Sequence, residues 1–533
     1  MKKLIPLLLA TMILLSCSEE VKILDFPLTS SSTDAARIAS NELFFKNNDT
    51  PFRVFGFSDS FDPALEEAIG LDQNFYFAKA VYAYGTNNNN FKNNERRAYI
   101  ESAYENINKV SEIEKAIIES IYFNIIEGNK IKAARVLNEV VEKYPDYYYL
   151  RVYNGLFQNT VMQNAKESEL NWKEALKINP GANIAKIQLA QLHYPTTPGF
   201  YRLEEDEIDL DFATKMIKEI EETEPNNPEL KQMQGNIFRV KGDFDSSINA
   251  YAKAIELTDK KSFGYPTLFL VTGHCYLFKK EYEKAREFYQ KAIDLRDSEG
   301  EFGYSSFIRR WYANTYLYEK KYDDAIISIN ENQKELENYD LEPVEKNNLS
   351  SQIAFEKFLA YGHSQMKNEA LESLNNMILF TEEEKKIRIS NSTLESEIKS
   401  IELEVELNQN FHKIWYSILF GEYENARQLL KEFTIVSSEY LAYNSKAMVG
   451  FYKLSGYLNL MEGNIAQSIS FYEQVPNELL EEDNYHLYFY ALAKKANGNI
   501  DKSKELFNYL ANYNFAGWQN SIVRNLAIQQ VES

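Results

Sequence analysis

Between Pro228 and Leu295, small and aromatic residues recur at spacings of three and four, the period of one face of an α-helix, and they do so twice. Gly235, Phe238, Ser247, Tyr251 and Ala254 are followed 38 residues later by Gly273, Tyr276, Ala285, Tyr289 and Ala292. Each copy predicts two helices. The first carries a small residue and, three positions on, an aromatic. A turn follows, Gly242-Asp243 or Lys280-Glu281, and the second helix carries small, aromatic and small residues on one face. Small residues let two backbones come close, and rings fill the space that remains. One hairpin cannot hide such a face alone, so neighbouring copies must stack on it.

Variations of the pattern run along most of the chain. The first helix is expected from Asp34 to Lys46, capped by Ser32 or Thr33, with Phe61 to Leu71 as its partner; Asn87 to Asn94 forms the turn of the next unit. Glu112 to Pro145 is a clean copy, with Gly128 at the turn and Ala133, Leu137 and Val140 on the second helix. Leu156, Trp172, Ala175 and Pro180 mark the next, and both prolines stop helices where the repeat requires it. Between Leu192 and Leu210, Pro195, Pro198, Gly199 and the acidic run Glu204 to Glu207 break the pattern, an insert that reads either as functional or as a disordered loop. Ala313, Tyr316 and Ala325 resume the series, Tyr361 and Ala370 weakly continue it, and Ala426, Ser468 and Ser503 mark three further second helices. Residues 381–400 are more charged and read as a seam, either a subdomain break or a long exposed helix. Trp518 to Val531 reads as a capping helix, and the whole as about a dozen hairpins.

This order of small, aromatic, Ala, aromatic, Ala and terminal Pro resembles the tetratricopeptide repeat (TPR). The resemblance implies an all-α fold, a TPR-type α-solenoid in which antiparallel helix pairs form a superhelix with the first helices on its concave side. An N-terminal array over 33–380 and a C-terminal array with its cap over 401–533 flank the seam.

The amino terminus changes the picture. Lys2 and Lys3 precede an apolar run from Leu4 to Leu15 that is too short to span a bilayer as a mature helix. Residues 1–16 read as an export signal, and Leu14-Leu15-Ser16-Cys17 resembles the lipobox of bacterial lipoproteins, which implies lipid on Cys17 and a tether over 17–32. Ser18-Glu19-Glu20 resembles the surface-export tag of Bacteroidota-type lipoproteins, implying a cell-envelope protein, at the outer membrane more than the inner. A net charge of −21 without a basic stripe suits a phosphate backbone poorly, so nucleic acid is not an expected partner.

Candidate chemistry is sparse. His193, His274, His363, His412 and His486 include no helical metal pair, no Gly-rich phosphate loop or dinucleotide fingerprint occurs, and Gly362-His363-Ser364 lacks the closing glycine of a nucleophile elbow. Cys275 falls on a first helix, where a buried thiol is expected. Neither an enzyme nor a metal or cofactor is expected.

Binding is the remaining class. By the TPR resemblance, Gln232, Asn236 and Arg239, then Leu270, His274 and Leu277, then Arg310, Asn314 and Leu317 face the concave groove. Arg310 with Asn314 resembles the basic residue and Asn with which some TPR domains clamp a peptide carboxylate. The expected partner is therefore a protein or peptide, bound by a membrane-anchored scaffold. The alternative is a SusD-like glycan-binding lipoprotein, for which Tyr194, Phe200 and Tyr201 in the insert would stack on sugars.

Overall fold

The computed structural model describes residues 28–40, 62–85, 93–194, 201–262, 264–339 and 341–532. Among them every regular element is helical and there is no strand. Cys17, the export signal, the tether as far as Pro27, residues 87–92 of the Asn-rich turn and Phe200 lie outside the described residues.

Helices pair in chain order. The first pairs are α1 (Thr33–Ser40) with α2 (Asp62–Leu71), α3 (Tyr76–Gly85) with α4 (Asn93–Glu105), and α5 (Glu112–Ile125) with α6 (Lys130–Lys143). Next come α7 (Tyr148–Thr160) with α8 (Ala165–Ile178), α9 (Asn183–Leu192) with α10 (Leu210–Glu221), and α11 (Pro228–Val240) with α12 (Phe244–Leu257). They are followed by α13 (Tyr265–Phe278) with α14 (Tyr282–Glu299), α15 (Phe302–Tyr318) with α16 (Tyr322–Glu337), and α17 (Pro343–His363) with α18 (Lys367–Ser390). The last pairs are α19 (Glu395–Leu419) with α20 (Tyr423–Tyr440) and α21 (Val449–Met461) with α22 (Ile465–Tyr472). A short α23 (Asn477–Glu481) then leads to α24 (Asn484–Ala496) with α25 (Ile500–Asn512), and α26 (Trp518–Glu532) ends the chain. Each second helix also packs on the next first helix, so the array is one continuous solenoid of antiparallel pairs.

Local chemistry sets the helix ends. Ser111 and Glu114 form a reciprocal capping box on α5, and Asn227, Asp243, Asp483 and Asn499 cap α11, α12, α24 and α25 through their side chains. Pro228, Pro266 and Pro343 sit in first turns, where a missing amide costs nothing. The turn inside a hairpin needs one left-handed residue. Gly242 supplies it at φ 76°, whereas Lys280 and Lys320 hold the same position at φ 63° and 59°.

What joins the two helices of a pair is a ring laid against a glycine. A Cβ on Gly155 would lie 2.4 Å from Trp172, and one on Gly235 or Gly273 would lie 2.4 Å from Tyr251 or Tyr289. At Gly456 the distance to Tyr472 is 2.8 Å. Beside these contacts Ser247 Oγ donates to the Gly235 carbonyl and Ser468 Oγ to the Gly456 carbonyl, both at 2.7 Å. The small second-helix residues of the sequence pattern are enclosed: Ala254, Ala285 and Ala325 are fully buried.

Three features depart from the sequence reading. The helix expected from Asp34 starts at Thr33 under a Ser32 cap and is described only to Ser40. The described end of the expected tether is pinned: Thr29 donates to both Glu114 oxygens at 2.8 and 2.5 Å, and Ser30 and Ser31 donate to Asp72. Finally, α26 packs on α24 and α25 but is no ordinary cap, because it also lies against α15 and has no exposed residue between 518 and 528. Asn525 donates to the Tyr318 carbonyl at 2.6 Å, and the Arg524 guanidinium lies 5.0 Å from the Phe278 ring centre.

The solenoid is also closed across its length. Residues 381–400 are the outer ends of α18 and α19 with the turn between them, and this tip meets the N-terminal repeats. Arg97 grips Glu397 with two bonds of 2.6 and 2.9 Å, and Leu394 packs on the N-terminal core.

The ring-on-glycine packing predicts opposite effects for one substitution at two sites. Gly235→Ala should weaken the α11–α12 pair by about 1–3 kcal/mol, because the Tyr251 ring must move off its contact. Gly70→Ala, where a Cβ meets nothing within 4 Å, should leave stability unchanged or raise it by up to about 1 kcal/mol. Native-state hydrogen exchange of the affected pair reads both.

Candidate functional site

The first helices line one side of the solenoid, where α11, α13, α15 and α17 follow one another. Asn236 on α11 accepts from the Tyr251 hydroxyl at 2.6 Å, and His274 on α13 shares a hydrogen bond with the Tyr289 hydroxyl at 2.7 Å. The two bonds are the same bond in successive copies, 15 residues apart each time. Both side chains are buried, so their polar ends are engaged inside the pair instead of facing an open groove. Gln232 is half-buried. Arg239 is 1% exposed, and its Nε and Nη1 have no hydrogen-bond partner. Its charge reaches Tyr251, Cys275, Tyr289 and His274.

Arg310 and Asn314 part company. Arg310 Nε donates to Glu356 Oε1 at 2.9 Å and Nη1 to Gln352 Oε1 at 2.7 Å, both on α17. The carboxylate that the TPR resemblance led one to expect from a ligand is thus provided by the chain itself. Asn314 is buried with Oδ1 unpartnered and takes no part in that grip.

Further along, the same side turns aromatic, a feature the sequence reading missed. Phe355 on α17, Trp415 on α19 and Trp518 on α26 have ring centres 5.3 to 6.2 Å apart, and His412 sits 5.5 Å from Phe355. Trp415 Nε1 donates to the Tyr485 hydroxyl of α24 at 3.1 Å. The signal was present in the i, i+4 pairs Phe307/Trp311 and Phe411/Trp415 on first helices.

The insert is a strap. Its described part, from Tyr201 to Asp209, leads into α10, and Asn159 holds it by accepting from the Tyr201 amide at 2.9 Å and donating to the Tyr201 carbonyl at 2.5 Å. Tyr194 is 1% exposed and offers no face to a sugar. Tyr201 is half-buried with its hydroxyl bonded to Gln163. Of the three expected stacking residues, Tyr194 is closed and Tyr201 half-buried, and Phe200 lies outside the described residues.

Burial takes four histidines out of the moderate pH range. Burial holds His363, His412 and His486 down at about 4, and burial together with Arg239 keeps His274 well below its usual value. Burial raises the Cys275 thiol, whose sulfur lies 3.1 Å from Ser247 Oγ. Ser364 Oγ donates to the Tyr361 carbonyl. Among the described residues no group of three His, Cys, Asp or Glu could hold a metal ion.

Residues 269–299, the α13–α14 hairpin, match the family model for the Tetratricopeptide repeat. No curated protein matches the chain. Similar solved structures include the human IFIT1 dimer with PPP-AAAA, at 14% identity and a TM-score of 0.35, covering 86% of this chain and 98% of that one. Aspartyl phosphate phosphatase F from Bacillus subtilis gives 15% identity and 0.37, covering 72% and 92%, and yeast Tom70 gives 12% and 0.32, covering 86% and 95%. With the helix pairing and the matched hairpin together, the fold is a TPR-type α-solenoid.

One buried acid gives these first helices a pH signature. Glu345 on α17 is 5% exposed, and burial, then Glu301 and Glu342, push its carboxyl up to about 7. A raised carboxyl favours the fold while protonated, so its contribution is fully present below the unfolded value near 4.5 and is lost as pH rises through about 7. Glu345→Gln should therefore match the wild type near pH 5 and gain on it toward pH 8, by up to about 3 kcal/mol. Thermal unfolding of both chains across that range reads the difference.

Proposed function

We propose that this protein is a non-enzymatic scaffold, held to a bacterial envelope membrane by lipid on Cys17, that binds a protein or peptide along the inner faces of its first helices. The observation that carries the binding half is hydrogen-bonding capacity left unused there. Arg239 Nε and Nη1, Trp311 Nε1 and Asn314 Oδ1 are buried without a partner. Each of these atoms is enclosed in the free chain, so a ligand reaches it only as the first helices shift, and one that then brings amides or a carboxylate is held selectively.

The anchoring half rests on the lipobox-like Leu14-Leu15-Ser16-Cys17, and the outer membrane on Ser18-Glu19-Glu20. The net charge of −21 favours a protein or peptide over nucleic acid. The glycan-binding alternative has less support, since Tyr194 is enclosed and Tyr201 is committed to Asn159 and Gln163.

Arg239→Met removes the unpaired guanidinium while keeping the stem, so the melting temperature should hold or rise. Capture of a specific envelope partner should fall at least tenfold. Cys17→Ala should move the chain out of the membrane fraction. Capture that survives Arg239→Met, or membrane association that survives Cys17→Ala, contradicts the corresponding half.

A further inference from the structure

Arg202 is the centre of a contact between parts of the chain that the repeat pattern does not bring together. It sits on the strap, is 1% exposed, and reaches residues 279 and 307 positions further along the sequence. Its Nη2 lies 3.3 Å from Glu481 Oε2 and donates to the Tyr509 hydroxyl, while Nε faces Glu482 Oε1 at 3.3 Å. The guanidinium lies 5.0 Å from the Tyr509 ring centre and 5.7 Å from that of Tyr513. Two carboxylates and two rings around one planar cation are the complement of an arginine and of no shorter or neutral side chain.

The receptor side is built independently of its occupant. The short α23 carries Glu481 at its end. Lys453 on α21 fixes this segment by donating to the Leu479 carbonyl and to Asp483 Oδ2, both at 3.0 Å. Tyr509 comes from α25. Glu482 is half-buried, and burial raises its carboxyl against the pull of Arg202 and Lys453.

The occupant side is an irregular segment, not a repeat. Residues 201–203 have no helical hydrogen bonds, and the segment is held from the other side by Asn159, by Gln163, and by Lys166 on Glu204 at 2.9 Å. Asn477 near the receptor also reaches Glu204, at 3.4 Å. The chain thus presents an arginine on an irregular peptide to an acidic, ring-lined pocket of its own C-terminal repeats.

We propose that the pocket formed by Glu481, Glu482, Tyr509 and Tyr513 is a receptor for an arginine carried on an extended segment, with residues 201–204 as its resident occupant. A partner presenting the same chemistry binds by displacing the strap. The local charge fits, since Glu481 and Glu482 set two carboxylates around one guanidinium. This goes beyond the scaffold reading, which concerns the first-helix faces, by naming a second site and the side chain it selects.

The test uses the full chain and a labelled decapeptide with the sequence of residues 198–207, beside the same peptide with glutamine for its arginine. Fluorescence anisotropy is read for the wild type, Arg202→Gln and Arg202→Lys. Emptying the pocket in Arg202→Gln should make the arginine peptide bind at least tenfold more tightly than it does to the wild type, and at least tenfold more tightly than the glutamine peptide. Arg202→Lys keeps the charge needed for folding but loses the planar fork, so it should show the same selectivity at reduced affinity, and it carries the test if Arg202→Gln fails to fold. Equal binding of the two peptides, or no gain over the wild type in a folded variant, overturns the proposal. Peptide selectivity that persists while Arg239→Met leaves partner capture unchanged sinks the scaffold reading alone; the converse sinks this one alone.

Discussion

The structure depends on a tyrosine or tryptophan ring pressed onto a glycine backbone. In four hairpins the ring of the second helix occupies the space in which the first helix would carry a Cβ, so the two axes approach closely only because that atom is missing. A hydroxyl beside the contact bonds a first-helix carbonyl, and the tyrosine's own hydroxyl reaches the next first-helix residue, Asn236 or His274. One ring therefore fills volume, fixes the register of the pair and satisfies a buried polar group of the first helix.

Charge organises the second level. Buried or half-buried arginines mostly meet acids of the same chain: Arg310 meets Glu356, Arg286 meets Glu319 and Arg97 meets Glu397. Such pairs add little net stability compared with apolar packing, but each is costly to break on one side, so they specify which repeats meet. Arg97 and Arg202 do this across hundreds of residues and turn an open solenoid into one tied at two places. Arg239, with no acid, stands out against that background.

Much of the array was legible in the sequence because its determinants are local. Gly235, Ser247, Tyr251 and their copies at 273, 285 and 289 act within one hairpin, and spacing alone reveals them. The burial of Asn236, Asn314 and Tyr194 was not legible, since it depends on what covers each one in space. Arg310 illustrates the limit: its Asn314 neighbour suggested a clamp for a foreign carboxylate, yet the acid that arrives is Glu356, a residue no spacing rule connects to it. Lys320 hides the turn that Gly242 announces, and Lys280 is legible only as the copy of it, because stacking forces a left-handed residue whatever its side chain. The strap read as a loop because Pro195, Pro198 and Gly199 mark it, but its destination on Glu481 and Tyr509 lies beyond any local pattern.

The most direct measurement is a double-mutant cycle at Gly273 and Tyr289, read as the opening free energy of α13 and α14 by native-state hydrogen exchange. If the ring-on-glycine contact holds the pair, Gly273→Ala costs about 1–3 kcal/mol beside Tyr289 and less than about 0.5 kcal/mol beside Leu in Tyr289→Leu. An equal cost in both backgrounds would show that the ring does not set the spacing of the helices, and would contradict the account.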